Sequence, residues 1–288
     1  LLAQLCAKGH TVRALTRAQR PPVTPPDQRV TWITGELAAG QGLAQLLTGA
    51  DAVIHCAGAV RGACAADFDA INVDGAQFLV DATVRARIGR LLMISSLAAR
   101  EPELSMYANS KRRGEAVLVD CDLAWTIFRP PAVYGPGDKE LTPLFALMRR
   151  GVAVTPGHSG RFSLLFVDDL VRAMVAWLAA PDIRGRCLEI DDGTPGGYDW
   201  RALITAAETL RGGRVRHWPA PHRVLATLAT LNQWQARRLR RLPMLTPGKV
   251  RELFHRDWVC RAGDIQGILN WQPEIRFAEG LRLTLAAL

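Results

Sequence analysis

Asp51-Ala-Val-Ile-His-Cys-Ala-Gly58 runs from an acid to a glycine without the polar alternation of a half-solvated strand. An unalternating run of this length suits a strand of a parallel sheet covered on both faces. Two more follow downstream. Residues 90–94, Arg-Leu-Leu-Met-Ile, lead directly into Ser95-Ser96, and residues 124–128, Ala-Trp-Thr-Ile-Phe, close into Arg129-Pro130-Pro131. Between them, residues 72–87 and 107–119 carry helical periodicity. Upstream, residues 11–15 and 30–33 read as strands separated by a proline-rich loop at 21–26, with a helical segment at 43–47. Strand and helix alternate, so the expected fold is α/β: a Rossmann-type doubly wound parallel sheet with right-handed crossovers. Ligands in such folds bind beyond the carboxyl ends of the strands, which directs attention to the residues that follow each strand.

Beyond about residue 135 the pattern loosens. Residues 141–150, 167–180 and 200–210 read as helices and 187–190 as a strand, after which Pro, Trp and Arg dominate through residue 273. The expected organisation is a nucleotide-binding domain over 1–135. Residues 136–288 form mostly a smaller, C-terminal substrate-binding part, with some segments returning to the first domain. Residues 1–8 resemble the tail of an amphipathic helix stopped by Gly9, and position 1 is Leu. A first strand and a glycine-rich turn, about 15 to 20 residues, are expected to precede it in the complete protein.

The 288 residues are 49% apolar and 22% charged, the composition of a globular chain. No apolar segment approaches the length of a membrane span. Six cysteines stand singly, at 6, 56, 64, 121, 187 and 260, without the spacing of a metal site or a disulfide scaffold. Reduced thiols and a cytoplasmic location are the expectation, with no metal. A net charge of +9 comes from 32 Arg and 4 Lys. The arginines are dispersed and no aromatic-interleaved basic motif accompanies them, so anionic small molecules are favoured over nucleic acid as partners.

Tyr107-Ala-Asn-Ser-Lys111 carries the chemistry. Residues four apart share a helix face, and an ammonium near a phenol favours the phenolate, lowering the tyrosine pKa toward proton exchange with a substrate oxygen. Chance alone places a Lys four after a Tyr in such a chain about 4% of the time. Basic positions here are Arg eight times in nine, however, and a guanidinium cannot replace a compact ammonium. Ser96, just past a strand, is positioned to polarise a carbonyl beside that tyrosine.

The chain resembles the extended or atypical short-chain dehydrogenase/reductases, the NAD-dependent epimerase/dehydratase-like branch. The resemblance rests on V-R-A-L-T-R, D-A-V-I-H-C-A-G, I-N-V-D-G-A, I-S-S, Y-A-N-S-K, R-P-P-A-V-Y-G-P-G-D and F-V-D-D-L, in the family's order along nearly the whole length. It implies an NAD(P)-dependent oxidoreductase, epimerase or dehydratase that moves a hydride to or from a secondary alcohol or ketone. The substrate could be a nucleotide sugar, a steroid-like molecule or another alcohol. Ser96 would orient the reacting oxygen, Tyr107 would be the general acid/base, and Lys111 would hold the nicotinamide ribose and tune Tyr107. Cys56, Ala57 and Gly58 would line the cofactor with their backbone, and Asn72 would hold the helix geometry beside it. Pro130 and Val133 would flank the nicotinamide, and Glu36-Leu37 would sit beside the adenine. Thr16 stands where NAD-preferring relatives carry an acid, and Arg17 follows, which leans the choice between NADP and NAD toward NADP. The short stretch from Ser96 to Tyr107, with no Tyr-Gly after the serine, argues against transferring nucleotide-sugar specificity outright.

Tyr134, Arg161, Asp168 and Asp169 are candidates for the substrate side, although paired aspartates at a helix start more often cap it and Tyr134 suits simple packing. His55 reads as structural. Residues 233–241, Q-W-Q-A-R-R-L-R-R, read as a solvated helix face, with a membrane or an anionic ligand as the alternative. A small molecule as substrate and a homodimer as assembly complete the partners this reading admits. A non-catalytic nucleotide-binding accessory subunit and a redox-sensing regulator stand as rival functions.

Overall fold

The computed structural model describes residues 1–18, 29–157, 159–180, 183–239, 242–243, 245–261 and 265–288. The proline-rich loop at 21–26 and positions 240–241 lie outside the described residues.

Four parallel strands form the centre: β3 (Ala52–His55), β4 (Arg90–Ile94), β5 (Ala124–Arg129) and β10 (Arg186–Glu189), in the order β10-β5-β4-β3. Their even polarity requires crossovers, supplied by α4 (Gly75–Arg85), α5 (Met106–Val119) and α7 (Val167–Ala179). β1 (Val12–Thr16) and β2 (Val30–Thr34) form a separate parallel pair, in register from Val12↔Val30 to Thr16↔Thr34. α1 (Leu2–Ala7) precedes that pair, and α2 (Leu43–Leu47) and the short α3 (Ala65–Asp69) follow it.

The unalternating strands are apolar on both faces because both are covered. Leu91 and Met93 of β4 enter one core with Leu79, Val80, Leu118 and Ile127. Leu92, between them, enters the other with Phe128, Leu170, Met174 and Trp177. Burying such side chains on both faces is worth about 1.5–3 kcal/mol for each large one, which fixes the register that brings the strand ends level.

A third core gathers residues from beyond position 134. Here β6 (Ala132–Tyr134) pairs with β9 (Leu164–Phe166), β7 (Val152–Pro156) with β11 (Arg216–Ala220), and β8 (Arg161–Phe162) with β12 (Asp257–Trp258), all parallel. Phe145 of α6 (Thr142–Arg149), Leu203 of α8 (Trp200–Arg211) and Phe277 and Leu281 of α12 (Phe277–Ala286) fill it. The region after 211, in which the sequence shows no regular element apart from the 233–241 helix face, contains β11, α9 (His222–Leu239), α10 (Pro247–Phe254), β12 and α11 (Ile265–Leu269). β10 and α7 rejoin the central sheet from within this second half.

Candidate functional site

Ser96 sits in extended backbone just past β4 and caps a short 3-10 turn, its Oγ accepting from the Ala98 N–H at 3.2 Å. The turn is tied to the exit of β5 by the Leu97 N–H, which donates to the Pro130 carbonyl at 2.8 Å. Ser105 then caps α5, accepting from the Ala108 N–H at 2.9 Å, and so sets Tyr107 in the first turn and Lys111 one turn on. The Ser96 side chain lies close enough to the Tyr107 phenol to pull its pKa down against burial. The buried Lys111 ammonium donates to the carbonyl of Ile94, the last residue of β4, at 3.0 Å.

Burial raises the Tyr107 phenol above its ordinary value, and the Ser96 side chain and the charge of Lys249 only partly oppose it. This corrects the expectation that Lys111 lowers it: the Lys111 ammonium is engaged at the Ile94 carbonyl, and the lysine that acts on the phenol is Lys249 of α10. Lys111 itself is pushed down to about 8 by burial, against the pull of Glu115 and Cys56. His55, buried at the end of β3, is lowered to about 4 by burial and then by the charge of Lys111. It is therefore neutral near pH 7, as a structural residue should be.

Asn72 lies in a π-helical turn, Ala70–Asp74, between α3 and α4. π-turns recur at functional sites. Its side chain accepts from the Ala59 N–H at 2.8 Å, donates to the Ala59 carbonyl at 3.0 Å, and donates to Ser110 Oγ at 2.8 Å. Ser110 in turn donates to the Tyr107 carbonyl at 2.8 Å. One buried amide thus pins the loop after β3 to the helix that carries Tyr107 and Lys111. Two glycines permit this: a Cβ on Gly114 would stand 2.1 Å from the Asn72 carbonyl oxygen, and one on Gly58 would stand 3.3 Å from Asn72 Oδ1 and 3.7 Å from Lys111 Nζ.

The other expected cofactor positions are dispersed around this centre. Thr16 ends β1, its hydroxyl accepting from the Ala18 N–H at 3.1 Å, and Arg17 beside it is exposed. Glu36 is exposed, whereas Leu37 is buried in the core against Leu43. Cys56, Ala57 and Gly58 are all exposed at the β3 exit. Pro130 is buried, and half-buried Val133 packs on the Leu92 and Phe128 core.

Three of the four substrate-side candidates have structural occupations instead. Tyr134 is wholly buried among Phe145, Phe166 and Phe277, in a space left by Gly280. Arg161 donates to the carbonyls of Gly196 and Gly197. Asp169 is buried and accepts from the Glu274 and Ile275 N–H groups, while Asp168 remains exposed.

Sequence reasoning missed Ser110, the buried Glu115–Arg129 pair, and Lys249 with Glu252. Arg129 donates to both oxygens of Glu115, which also accepts from Ser95. Glu252 accepts from Ser105, the cap of α5, and from Lys249 at 3.3 Å. A signal for Lys249 existed: it is one of 4 lysines in an arginine-rich chain. The loop after β3 is braced from outside by Arg61, which donates to Glu140 at 2.8 Å. An open groove of about 710 Å³ between α4 and α5, lined by Gln77, Asp81, Arg113 and Asp120, touches none of these groups.

The family of NAD(P)H-binding proteins matches residues 1–147, and the chain belongs to it, as an NAD(P)-dependent enzyme of the extended short-chain dehydrogenase/reductase type. A ceramide reductase of Caulobacter vibrioides is 36% identical over 90% of this chain and 81% of its own length. A 2-alkyl-3-oxoalkanoate reductase of Stenotrophomonas maltophilia is 27% identical over 96% of this chain and 92% of its own. Among solved structures, UDP-glucuronic acid 4-epimerase from Bacillus cereus in complex with NAD superposes with a TM-score of 0.75 at 17% identity, covering 99% of this chain and 92% of that one, a likeness of fold.

Proposed function

We propose that the chain reduces a ketone on a long-chain, ceramide-like lipid, with Ser96, Tyr107 and Lys111 as its catalytic set and NADPH as its preferred reductant. The carrying observation is the convergence of these three side chains at the β4 exit, held by Asn72 and Ser110. It is read together with the 36% identity to a ceramide reductase over 90% of the chain.

The residues present fit a nicotinamide cofactor. An ammonium has three donors, and the Ile94 carbonyl takes one from Lys111, a donor set suited to a ribose diol. At Gly58 no side chain stands between the β3 exit and that ammonium, so backbone can approach a flat ligand. Cys56, Ala57, Gly58, Asn72, Pro130 and Val133 would line it, with Glu36 and Leu37 toward the adenine. Arg17, exposed at the end of β1 where Thr16 replaces an acid, would pair with a 2′-phosphate. When bound, the cofactor supplies a hydride. Tyr107, protonated at neutral pH, gives its proton to the carbonyl oxygen as the alcohol forms, and Ser96 hydrogen-bonds that oxygen while charge develops on it. Lys111 holds the ribose.

Purified protein incubated with an oxidised ceramide and either NADPH or NADH tests this. Loss of nicotinamide absorbance matched by alcohol product, faster with NADPH, is the expected result. Equal affinity for NADPH and NADH by calorimetry, or an Arg17→Ala change without effect on NADPH binding, removes the cofactor preference. Reduction of a simple 3-oxoalkanoate with none of the ceramide removes the lipid class.

A further inference from the structure

The helix that ends in the stretch read as a solvated face, residues 233–241, carries an exposed apolar stripe that lies mostly ahead of that stretch. Val224, Leu228, Leu231 and Leu239 of α9 are each more than half exposed, and at 100° per residue they fall in a sector of about 80°. The buried face of α9 lies elsewhere, at Ala229 and Ala236. Trp234, also exposed, borders the stripe with the Arg238 guanidinium 4.0 Å over its ring. Trp218, exposed on β11, comes just ahead of the helix.

Charge is distributed in the same place. Residues 209–251 contain ten Arg and Lys and no Asp or Glu, against a net charge of +9 for the whole chain. The stretch of sequence that contains α9 therefore carries the whole of the chain's positive excess. An amphipathic helix with leucines on one sector, flanking arginines and bordering tryptophan has the composition of a helix lying in a membrane interface. No helix among the described residues is long and apolar enough to cross a membrane.

We infer that α9 is a membrane-docking helix that seats Val224, Leu228, Leu231 and Leu239 in the acyl boundary of an anionic bilayer, with Arg223 and Arg238 on the lipid phosphates. A second copy of the chain is the weaker occupant. A symmetric contact would bring together two stretches, residues 209–251 of each copy, that hold no carboxylate to pair with the arginines across it.

The helix is joined to the candidate site. Gln233 of α9 donates to the Ala63 carbonyl at 3.0 Å, in the loop that begins at Cys56, Ala57 and Gly58. α10, packed on α9, brings Lys249 and Glu252 to Tyr107. Docking through α9 would therefore hold the loop after β3 and α10, which are joined to that helix, near the surface in which long-chain lipids reside. That last step rests on the lipid-reductase reading; the docking itself does not.

Flotation of the intact protein with phosphatidylcholine vesicles, and with vesicles in which a third of the lipid is phosphatidylglycerol, tests the inference without any substrate. The protein should float with the anionic vesicles, less so at high salt, and little with the neutral ones. The double variant Leu228→Ser, Leu231→Ser keeps every charge, so purely electrostatic adhesion would leave its flotation unchanged, whereas an inserted stripe predicts a loss of about tenfold or more. Retained circular dichroism and NADPH binding show that this variant is folded. Trp234→Phe should remove a blue shift of the tryptophan emission seen with vesicles. Absence of flotation with anionic vesicles, or equal flotation of the serine variant, overturns the proposal. So does a dimer in light scattering that dissociates in that variant while vesicles are ignored. A chain that floats but reduces no lipid keeps the docking and loses the substrate assignment.

Discussion

Tyr107 and Lys111 are both buried enough to be displaced from their solution pKa values, and in opposite directions. The phenol holds the proton that reduction consumes, as any tyrosine does at neutral pH, and its upward displacement by burial makes it a weaker acid than a free one. Tyr107→Phe keeps the ring packed near Phe68 and removes that proton, so turnover should fall by roughly 10²- to 10⁴-fold with cofactor affinity retained. Lys111 shows the cost of the site to the fold. It titrates near 8 in the folded, cofactor-free chain against an ordinary 10.5. The unfolded chain therefore binds more protons through that window, and stability rises with pH from about 8 to about 10.5. At pH 7 the buried charge costs on the order of 3 kcal/mol. Lys111→Met should stabilise the cofactor-free protein in urea at pH 7 by up to that amount, less about 1 kcal/mol for the lost hydrogen bond to Ile94. It should lower both rate and cofactor affinity. His55 has the same sign on the acid side: held near 4 against 6.5, it makes stability fall as pH drops through that interval, and a urea titration of His55→Gln should show the dependence reduced.

At the scale of elements, α5 is held by contacts that leave no side chain to spare. A Cβ on Gly114 would stand 2.1 Å from the Asn72 carbonyl, so Gly114→Ala should push α5 and the Asn72 turn apart. A cost of about 1–3 kcal/mol is typical of overpacking, and turnover should drop although no reacting group has changed. Glu115→Gln leaves the Arg129 guanidinium half-buried without its carboxylate and should cost roughly 3–5 kcal/mol in thermal or urea melts. The sequence made Ser96, Tyr107 and Lys111 legible because their relation is local: a strand end and one helical turn. It made the central strands legible because two covered faces remove polar alternation. Lys249 and Glu252 were not legible, since they reach Tyr107 and Ser105 from about 140 positions away and no periodicity records such a contact. For Tyr134 the sequence left packing and the substrate side both open, and what decides for packing is Gly280, far along the chain, which leaves the space that buries its ring.

For the whole molecule, three cores divide the work. Two cover the faces of the central sheet and hold the strand ends level, and the third gathers α6, α8 and α12 of the second half. The chain is an NAD(P)-dependent enzyme of the short-chain dehydrogenase/reductase type, and the account placed on it is a tyrosine-dependent ketone reduction on a lipid. The most direct measurement follows nicotinamide absorbance and lipid product together, for wild-type protein and Tyr107→Phe, with an oxidised ceramide presented in vesicles and NADPH in excess. One alcohol should form per NADPH consumed by the wild type, and the variant should bind NADPH equally well but turn over roughly 10²- to 10⁴-fold more slowly. A Tyr107→Phe protein that reduces the lipid at the wild-type rate, or a cofactor-loaded wild type that leaves the ketone untouched, would contradict it.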